Sequence, residues 1–368
     1  MPTGRVKVAV LGVGLIGGSI GLAARERADA YVCGYDPDAR VRALALQLGA
    51  IDAQAADIAG AVDGADVVFV AAPVGALVET VRAALAHAGA DTVVTDAGST
   101  KRTVAEAGRE DERFIGGHPL AGAETAGVEH ARADLFEGAV WYLTPARGST
   151  AGVLYERLHR LLAGFGAQPT AIDADTHDRL MASVSHLPHV LANLLVAQAA
   201  SVLGGEDEQR LPAVGPSFRD ATRVAGANTS IWTDIYMSNS DALIAGIDGI
   251  TARLGALRAI LEAGDAAALA AWNDSAHEDR EALLGAGLVG GAGGEEAIEL
   301  RASVPNRPGV IAELALALGG AGVNILDMAL SPSEDNRQGV IALWVGGELP
   351  AGRAQELIAG LGFPVARA

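Results

Sequence analysis

VKVAVLGVGLIGGS, residues 6–19, is the stretch whose reading decides the fold. Val6–Leu11 is an apolar, β-branched-rich run of the kind buried on both faces of a parallel sheet, and it leads straight into Gly12-Val13-Gly14-Leu15-Ile16-Gly17. After a strand, a G-x-G-x-x-G turn binds a dinucleotide. The first glycine permits the tight turn, the second lets backbone approach a pyrophosphate, and the third lets the next helix pack close to the sheet. Leu15 and Ile16 complete the turn, and Ser19, in the first helical turn, adds a hydroxyl to the anion-binding amides. A second strand, Tyr31–Tyr35, ends in Asp36, whose carboxylate suits a ribose hydroxyl and repels a 2′-phosphate, so NAD is expected rather than NADP. Arg40 nearby works against that preference, and an Asp before Pro37 also serves a plain turn.

Outward from the fingerprint, Asp66–Ala72 reads as a strand running into Pro73, which is placed at the cofactor edge; an apolar-striped helix covers 74–86, and Thr92–Asp96 is the next strand. The alternation predicts a Rossmann-type, doubly wound parallel sheet over residues 1–150, with Val140–Thr144 a late strand and 145–150 the exit. Ligands gather outside the carboxyl ends of such strands. There the sequence puts Asp96-Ala-Gly-Ser99-Thr100-Lys101, in which Ser99 can donate and accept, or can cap the helix through Val104. It also puts His118 there, in FIGGHPLAG (114–122), just past an apolar run. A neutral imidazole takes up a proton at about pH 6.5, so His118 suits a base, although a surface-loop histidine before Pro119 has the same look.

From 151 to 286 the apolar spacing is helical, as in Leu154, Leu158, Leu161 and Leu162, which predicts an all-helical second domain. Ser185-His186-Leu187-Pro188-His189 places two histidines three apart on one helix face, with Pro188 bending the helix. They fit a core pair or a carboxylate-bearing ligand better than a metal, since no third ligand completes a metal pattern. Phe218-Arg219-Asp220-Ala-Thr-Arg223 follows Gly215-Pro216; Arg219 can pair with Asp220, which leaves Arg223 as the better carboxylate fork. Trp232 and Tyr236, at helical spacing in 228–237, are expected to pack a helix interface, and the apolar helical surface suggests a symmetric dimer. Residues 287–295 are a glycine-rich linker. Residues 296–368 read as strand 297–304, helix 309–319, strands 324–330 and 339–345, helix 351–361 and strand 363–366, the ferredoxin-like β-α-β-β-α-β order.

Composition narrows the classes of function. With 368 residues, 50% hydrophobic and 20% charged, the chain supports two or three globular domains, and a formal charge of −18 without a basic run argues against nucleic acid. Cys33 is the single cysteine, no leader precedes the first strand, and no uninterrupted apolar run approaches the ~20 residues of a membrane span, so a cytoplasmic protein is expected.

In order, GVGLIGGS, DAGSTK, IGGHPLAG, SHLPH and FRDATR resemble the prephenate/arogenate dehydrogenases of tyrosine biosynthesis, and the tail, with PNRPGV and GVNI, resembles an ACT domain. The resemblance implies NAD-dependent oxidative decarboxylation of prephenate to 4-hydroxyphenylpyruvate, with arogenate as the alternative substrate. It implies that His118 accepts the ring hydroxyl proton and that Ser99 hydrogen-bonds this centre. It further implies that His189 and Arg223 hold substrate carboxylates with support from His186 and Ser185, that Trp232 reaches the site from the other subunit of a homodimer, and that the ACT-like module takes tyrosine or another amino acid. Two positions depart from the family pattern: Ala123 stands before Glu124 where relatives often carry a hydroxyl residue, and Pro216 stands where many have glycine. A 3-hydroxy acid dehydrogenase would need a lysine in the helical domain, and none is there. A non-catalytic, ligand-sensing Rossmann protein is the rival of a different class.

Overall fold

The computed structural model describes residues 5–122, 125–145, 152–203, 214–288, 297–305, 307, 309–332 and 338–367. Ala123, Glu124, the exit at 146–150 and most of the glycine-rich linker lie outside the described residues. The chain forms two compact units, Met1–Ala174 with Ala276–Ala368, and Asp175–Ser275.

In the first unit, strands β1 (Lys7–Leu11), β2 (Tyr31–Tyr35), β3 (Ala53–Gln54), β4 (Val67–Val70), β5 (Val93–Asp96), β6 (Phe114–Pro119), β7 (Val140–Pro145) and β8 (Gln168–Ala171) make one sheet in the order β3-β2-β1-β4-β5-β6-β7-β8. Helices α1 (Leu15–Ala28), α2 (Ala39–Gln47), α3 (Ile58–Val62), α4 (Val74–His87), α5 (Arg102–Gly108) and α6 (Gly152–Gly164) alternate with them. The buried runs Val8–Leu11 of β1 and Val67–Val70 of β4 are apolar on both faces because helices cover both sides, and β5 begins likewise with Val93 and Val94 before Thr95 and Asp96. Phe69, Phe136, Trp141 and Phe165 cluster in the core, with ring centroids 4.9 to 6.5 Å apart in the contacting pairs.

Two expectations change. The sheet is parallel only through β6: β7 runs antiparallel to β6, and β8 runs parallel to β7. Because β8 belongs to this sheet and α6 precedes it, the nucleotide-type domain continues to about residue 171 rather than ending at 150, and the segment after 151 is not all-helical.

The C-terminal part has the expected ferredoxin-like order. Strands β9 (Ala297–Pro305), β10 (Ile325–Pro332), β11 (Gln338–Gly346) and β12 (Val365–Arg367) pair antiparallel in the order β10-β11-β9-β12. Its two helices cover Val310–Gly320 and Glu348–Gly360. It does not hang free of the sheet domain: a Cβ on Gly319 would lie 1.7 Å from the Ala171 carbonyl oxygen, Ile311 packs on Gly152, and the Thr170 hydroxyl donates to Asn324 Oδ1 at 2.9 Å. One apolar cluster runs from Val10 and Trp141 to Leu314 and Ile341.

In the second unit, α7 (Ala174–Met181) passes through a π-helical turn, Ala182–His186, into α8 (Leu187–Leu203). The Leu187 amide bonds the Ala182 carbonyl, five residues back, and Pro188 has no amide to give the ladder, so the helix departs from α geometry at SHLPH. Helices α9 (Pro216–Thr222), α10 (Thr229–Ser238) and α11 (Ser240–Ala263) follow, α10 being capped by Asn228, and then α12 (Ala266–Leu288), of which only the part through Ser275 belongs to this unit. The helical stretch Ala174–Ser201, 28 residues with a mean hydropathy of 1.4 in its most apolar window, is long and apolar enough to cross a membrane by length and composition alone, although polar residues interrupt it throughout. It nonetheless buries His177, Asp178, His186 and His189, polar groups that suit a protein interior or an assembly interface better than lipid.

Candidate active site

Each unit carries one cluster of the expected residues. In the first, the carboxyl ends of β1, β4, β5 and β6 gather the fingerprint turn, Pro73, Ser99 and His118. Gly12 has φ +92° and lies against the Ala71 carbonyl, and a Cβ on Gly17 would overlap the Gly12 carbonyl oxygen at 1.8 Å; neither position tolerates a side chain. A Cβ on Gly14 would meet nothing within 4 Å. The turn is therefore closed on its protein side and open at its middle glycine, where a pyrophosphate would approach the amides at the start of α1, so these residues fit a dinucleotide. Leu15 and Ile16 open α1 and pack partly buried against the core, and Pro73 caps α4.

Asp36 sits at the end of β2 with one carboxylate oxygen accepting the Val13 amide at 3.2 Å and the other the Asp38 amide at 3.0 Å. Each oxygen keeps a further lone pair for a ribose hydroxyl. Arg40 is turned to Asp38, with Nη2 2.7 Å from Oδ2 and Nε 3.1 Å from Oδ1, and these bonds hold the Asp38 carboxyl down to about 2. Ser19 corrects the sequence reading: it is fully buried, its hydroxyl donates to the Leu15 carbonyl at 2.8 Å and accepts the Arg132 amide at 3.1 Å, so it ties α1 to a neighbouring loop instead of facing an anion.

His118 lies within β6, paired in register with Tyr142 of β7, and is half-buried; the strand runs through it rather than ending before it. Ser99 is half-buried in the bend after β5, and it does not cap α5, whose first turn begins behind Lys101 without a side-chain cap bond. The residue that sequence reasoning missed is Lys101. It is completely buried and paired with Asp96, and its Nζ donates to the Gly117 carbonyl at 2.5 Å, the peptide just before His118. A lysine five residues after a strand-ending Asp reads in sequence as an ordinary exposed helix start.

In the second unit His189 is the focus. Its ring stacks on Trp232 at 3.6 Å and 6°, Tyr236 Oη hydrogen-bonds its Nδ1, and Asn193 Nδ2 lies 3.3 Å from the same nitrogen. With Nδ1 accepting, the ring proton sits on Nε2, which is buried and makes no hydrogen bond of standard geometry. A desolvated donor of this kind suits a carboxylate. Burial lowers the His189 pKa, an effect the Val224 backbone partly offsets. Arg223 opens the 3-10 turn Arg223–Gly226 that packs along α8, and it is exposed. Trp232 and Tyr236, expected to pack a helix interface, do so between α10 and α8, where they brace His189.

His186 is buried one turn earlier. The Asn239 amide donates to the Asp178 carbonyl at 2.7 Å and lies 3.3 Å from His186 Nδ1, and His177 Nδ1 bonds Asp178 Oδ1 at 2.8 Å. Desolvation pulls His186 down to about 4, with Asp178 opposing and His177 and His189 reinforcing the shift. His186 is thus a neutral brace for the helix that presents His189, while Ser185 beside it is half-buried. Among the described residues no group of three His, Cys, Asp or Glu side chains is placed to hold a metal ion.

Family models match three parts of the chain: prephenate dehydrogenase, nucleotide-binding domain, at residues 20–170; prephenate dehydrogenase, dimerization domain, at 173–274; and ACT domain at 298–357. The prephenate dehydrogenase of Bacillus subtilis is 30% identical over 363 residues, covering 95% of each chain. Among solved structures, prephenate dehydrogenase from A. aeolicus in complex with hydroxyphenyl propionate and NAD+ superposes with a TM-score of 0.71 at 28% identity, covering 77% of this chain and all of that one. Synechocystis arogenate dehydrogenase superposes with a TM-score of 0.66 at 26% identity over 76% of this chain and all of that one.

Proposed function

The chain belongs to the prephenate dehydrogenase family, and from that premise we propose that it converts prephenate to 4-hydroxyphenylpyruvate and CO2 with NAD. The observation that carries the reading is that His118 lies near the carboxyl end of β6 in the same sheet whose β1 leads into the open fingerprint turn. NAD, when bound at Gly12, Gly14, Leu15, Ile16, Gly17, Asp36 and Pro73, supplies the hydride acceptor. His118, neutral in the reactive complex, takes the proton of the ring hydroxyl at an imidazole nitrogen, and the Ser99 hydroxyl hydrogen-bonds the same centre. The Nε2 proton of His189 and the guanidinium of Arg223 hold the two carboxylates, with His186 and Ser185 supporting them. Loss of CO2 restores an aromatic ring, so the protein's task is alignment and proton removal.

The helical unit leaves Leu194, Leu195, Ile231, Met237, Ile244 and Leu254 exposed, an apolar surface that a second copy would bury in a homodimer. The ACT-type module takes an amino acid, tyrosine by end-product logic, and the enzyme works in the cytoplasm on a small acidic metabolite. Mixing the purified protein with NAD and either prephenate or arogenate, with and without tyrosine, while following nicotinamide absorbance, tests the reading. Reduction with prephenate supports it; reduction with arogenate alone moves the assignment to arogenate dehydrogenase, the activity named for the Synechocystis relative. Cofactor binding without reduction of either would make the chain a sensor.

A further inference from the structure

Asp96 ends β5 and Lys101 follows five residues later, and both side chains are wholly removed from solvent. Withdrawing two charges from water is costly, and an ion pair of this kind survives only if further hydrogen bonds satisfy it; an apolar pair of similar volume would commonly serve stability as well. Here two of the further bonds converge on one residue, one on each of the peptide groups that flank its Cα. Lys101 Nζ donates to the Gly117 carbonyl at 2.5 Å, and Asp96 Oδ1 accepts the Gly117 amide at 3.1 Å, while Oδ2 accepts the Gly98 amide at 2.9 Å. The backbone register between β5 and β6 stops at Thr95 opposite Ile115, so beyond that point the ions replace the ladder on this side, while β7 still pairs with Gly117 and His118 on the other. A Cβ on Gly117 would lie 2.5 Å from the Asp96 carbonyl oxygen, so this close approach needs a bare residue.

Composition points the same way. Of 27 lysines and arginines in the chain, only Lys7 and Lys101 are lysines. A chain that otherwise uses arginine keeps at this buried position the compact ammonium, which can reach a single carboxylate and a single carbonyl without the bulk of a guanidinium fork.

We infer that Asp96 and Lys101 are positioning residues for the reaction: their ion pair clamps Gly117 by its amide and its carbonyl and so fixes the backbone from which His118 works. The inference rests on the reading of His118 as the proton acceptor. Misplacing a catalytic group by about 1 Å costs on the order of 10²-fold in rate.

The test uses the full-length chain. Lys101→Met alone would leave Asp96 buried without its partner, so the informative variant is D96N/K101M, which removes both charges, keeps an acceptor for the Gly117 amide and deletes the donor to its carbonyl. With circular dichroism and Tm near those of the parent, kcat should fall on the order of 10- to 10²-fold while KM for prephenate and NAD stays within about twofold. Adding H118N to this variant should cost less than about a further twofold relative to H118N alone, because positioning residues have nothing left to act through. If D96N/K101M does not fold, Asp96→Glu carries the test: it keeps the pair but displaces it by one methylene, and the same loss of kcat without loss of KM is expected. A folded variant with parental kcat, or rates that multiply independently in the H118N background, would overturn the inference. If H118N itself turns over like the parent, the reading of His118 fails; if H118N is slow and D96N/K101M is not, only the clamp fails.

Discussion

Gly14 and Gly17 belong to one turn, yet a methyl group at each should have opposite consequences. At Gly17 the new Cβ would lie 1.8 Å from the Gly12 carbonyl oxygen and 2.9 Å from its carbon, both backbone atoms of the turn entering α1. Relief requires lifting α1 from β1. Overpacking against side chains that can yield costs roughly 1–3 kcal/mol, and against backbone the upper value applies. At ~2–4 °C per kcal/mol for a domain of this size, Gly17→Ala should lower Tm by about 6–12 °C. At Gly14 the methyl meets nothing within 4 Å, and the residue is only the N-cap of α1. Gly14→Ala should therefore cost at most about 1 kcal/mol and shift Tm by less than about 4 °C. The same methyl fills the space where a pyrophosphate would lie on the bare backbone, and losing about 1.4 kcal/mol there weakens NAD tenfold. Scanning fluorimetry and a fluorescence titration with NAD separate the two effects. Parental NAD affinity in a folded Gly14→Ala, or parental Tm in Gly17→Ala, would refute the account of this turn.

The neutral burial of His186 gives a pH signature. Its folded value of about 4 lies below the ordinary 6.5, so the unfolded chain takes up the proton first. Stability from this group is complete above about pH 6.5 and drains away as pH falls toward 4; the acid-side decline of Tm should be shallower in His186→Gln than in the parent, and identical slopes would remove His186 from that role. Gly319→Ala would set a Cβ 1.7 Å from the Ala171 carbonyl oxygen, so it should undock the ACT-type module and speed its release by limited proteolysis, whereas an unchanged digestion pattern would contradict the docked arrangement. Arg223→Gln should raise KM for prephenate at nearly constant kcat, as loss of a uniform binding contact does; an unaltered KM would remove Arg223 from substrate binding.

Much of this fold is legible because its signals are local. The fingerprint after β1, the alternation through β5 and the β-α-β-β-α-β spacing of the tail each need only a short window of sequence. What escaped reading depends on distant partners. β8, Gln168-Pro-Thr-Ala171, is four residues with a proline and no run of alternation, and only its edge position beside β7 makes it a strand. The reversal of β7 is set by the return of the chain after residue 119, which no period encodes. Ser19 looked available in the first turn of a helix, but its face of α1 meets Arg132, more than a hundred residues away. Lys101 looked like a helix start, and its burial is created by β6 closing over it. His118 and His189 were legible as residue types in context. The stacked Trp232 and the π-turn at His186, which make His189 a desolvated donor, emerge only from the folded helices.

The most direct measurement is turnover of His118→Asn in the full chain with NAD and prephenate. With NAD affinity retained, kcat should fall by a factor on the order of 10²–10⁴, the scale on which a positioned base contributes. Turnover equal to that of the parent would contradict the assignment of this imidazole as the proton acceptor.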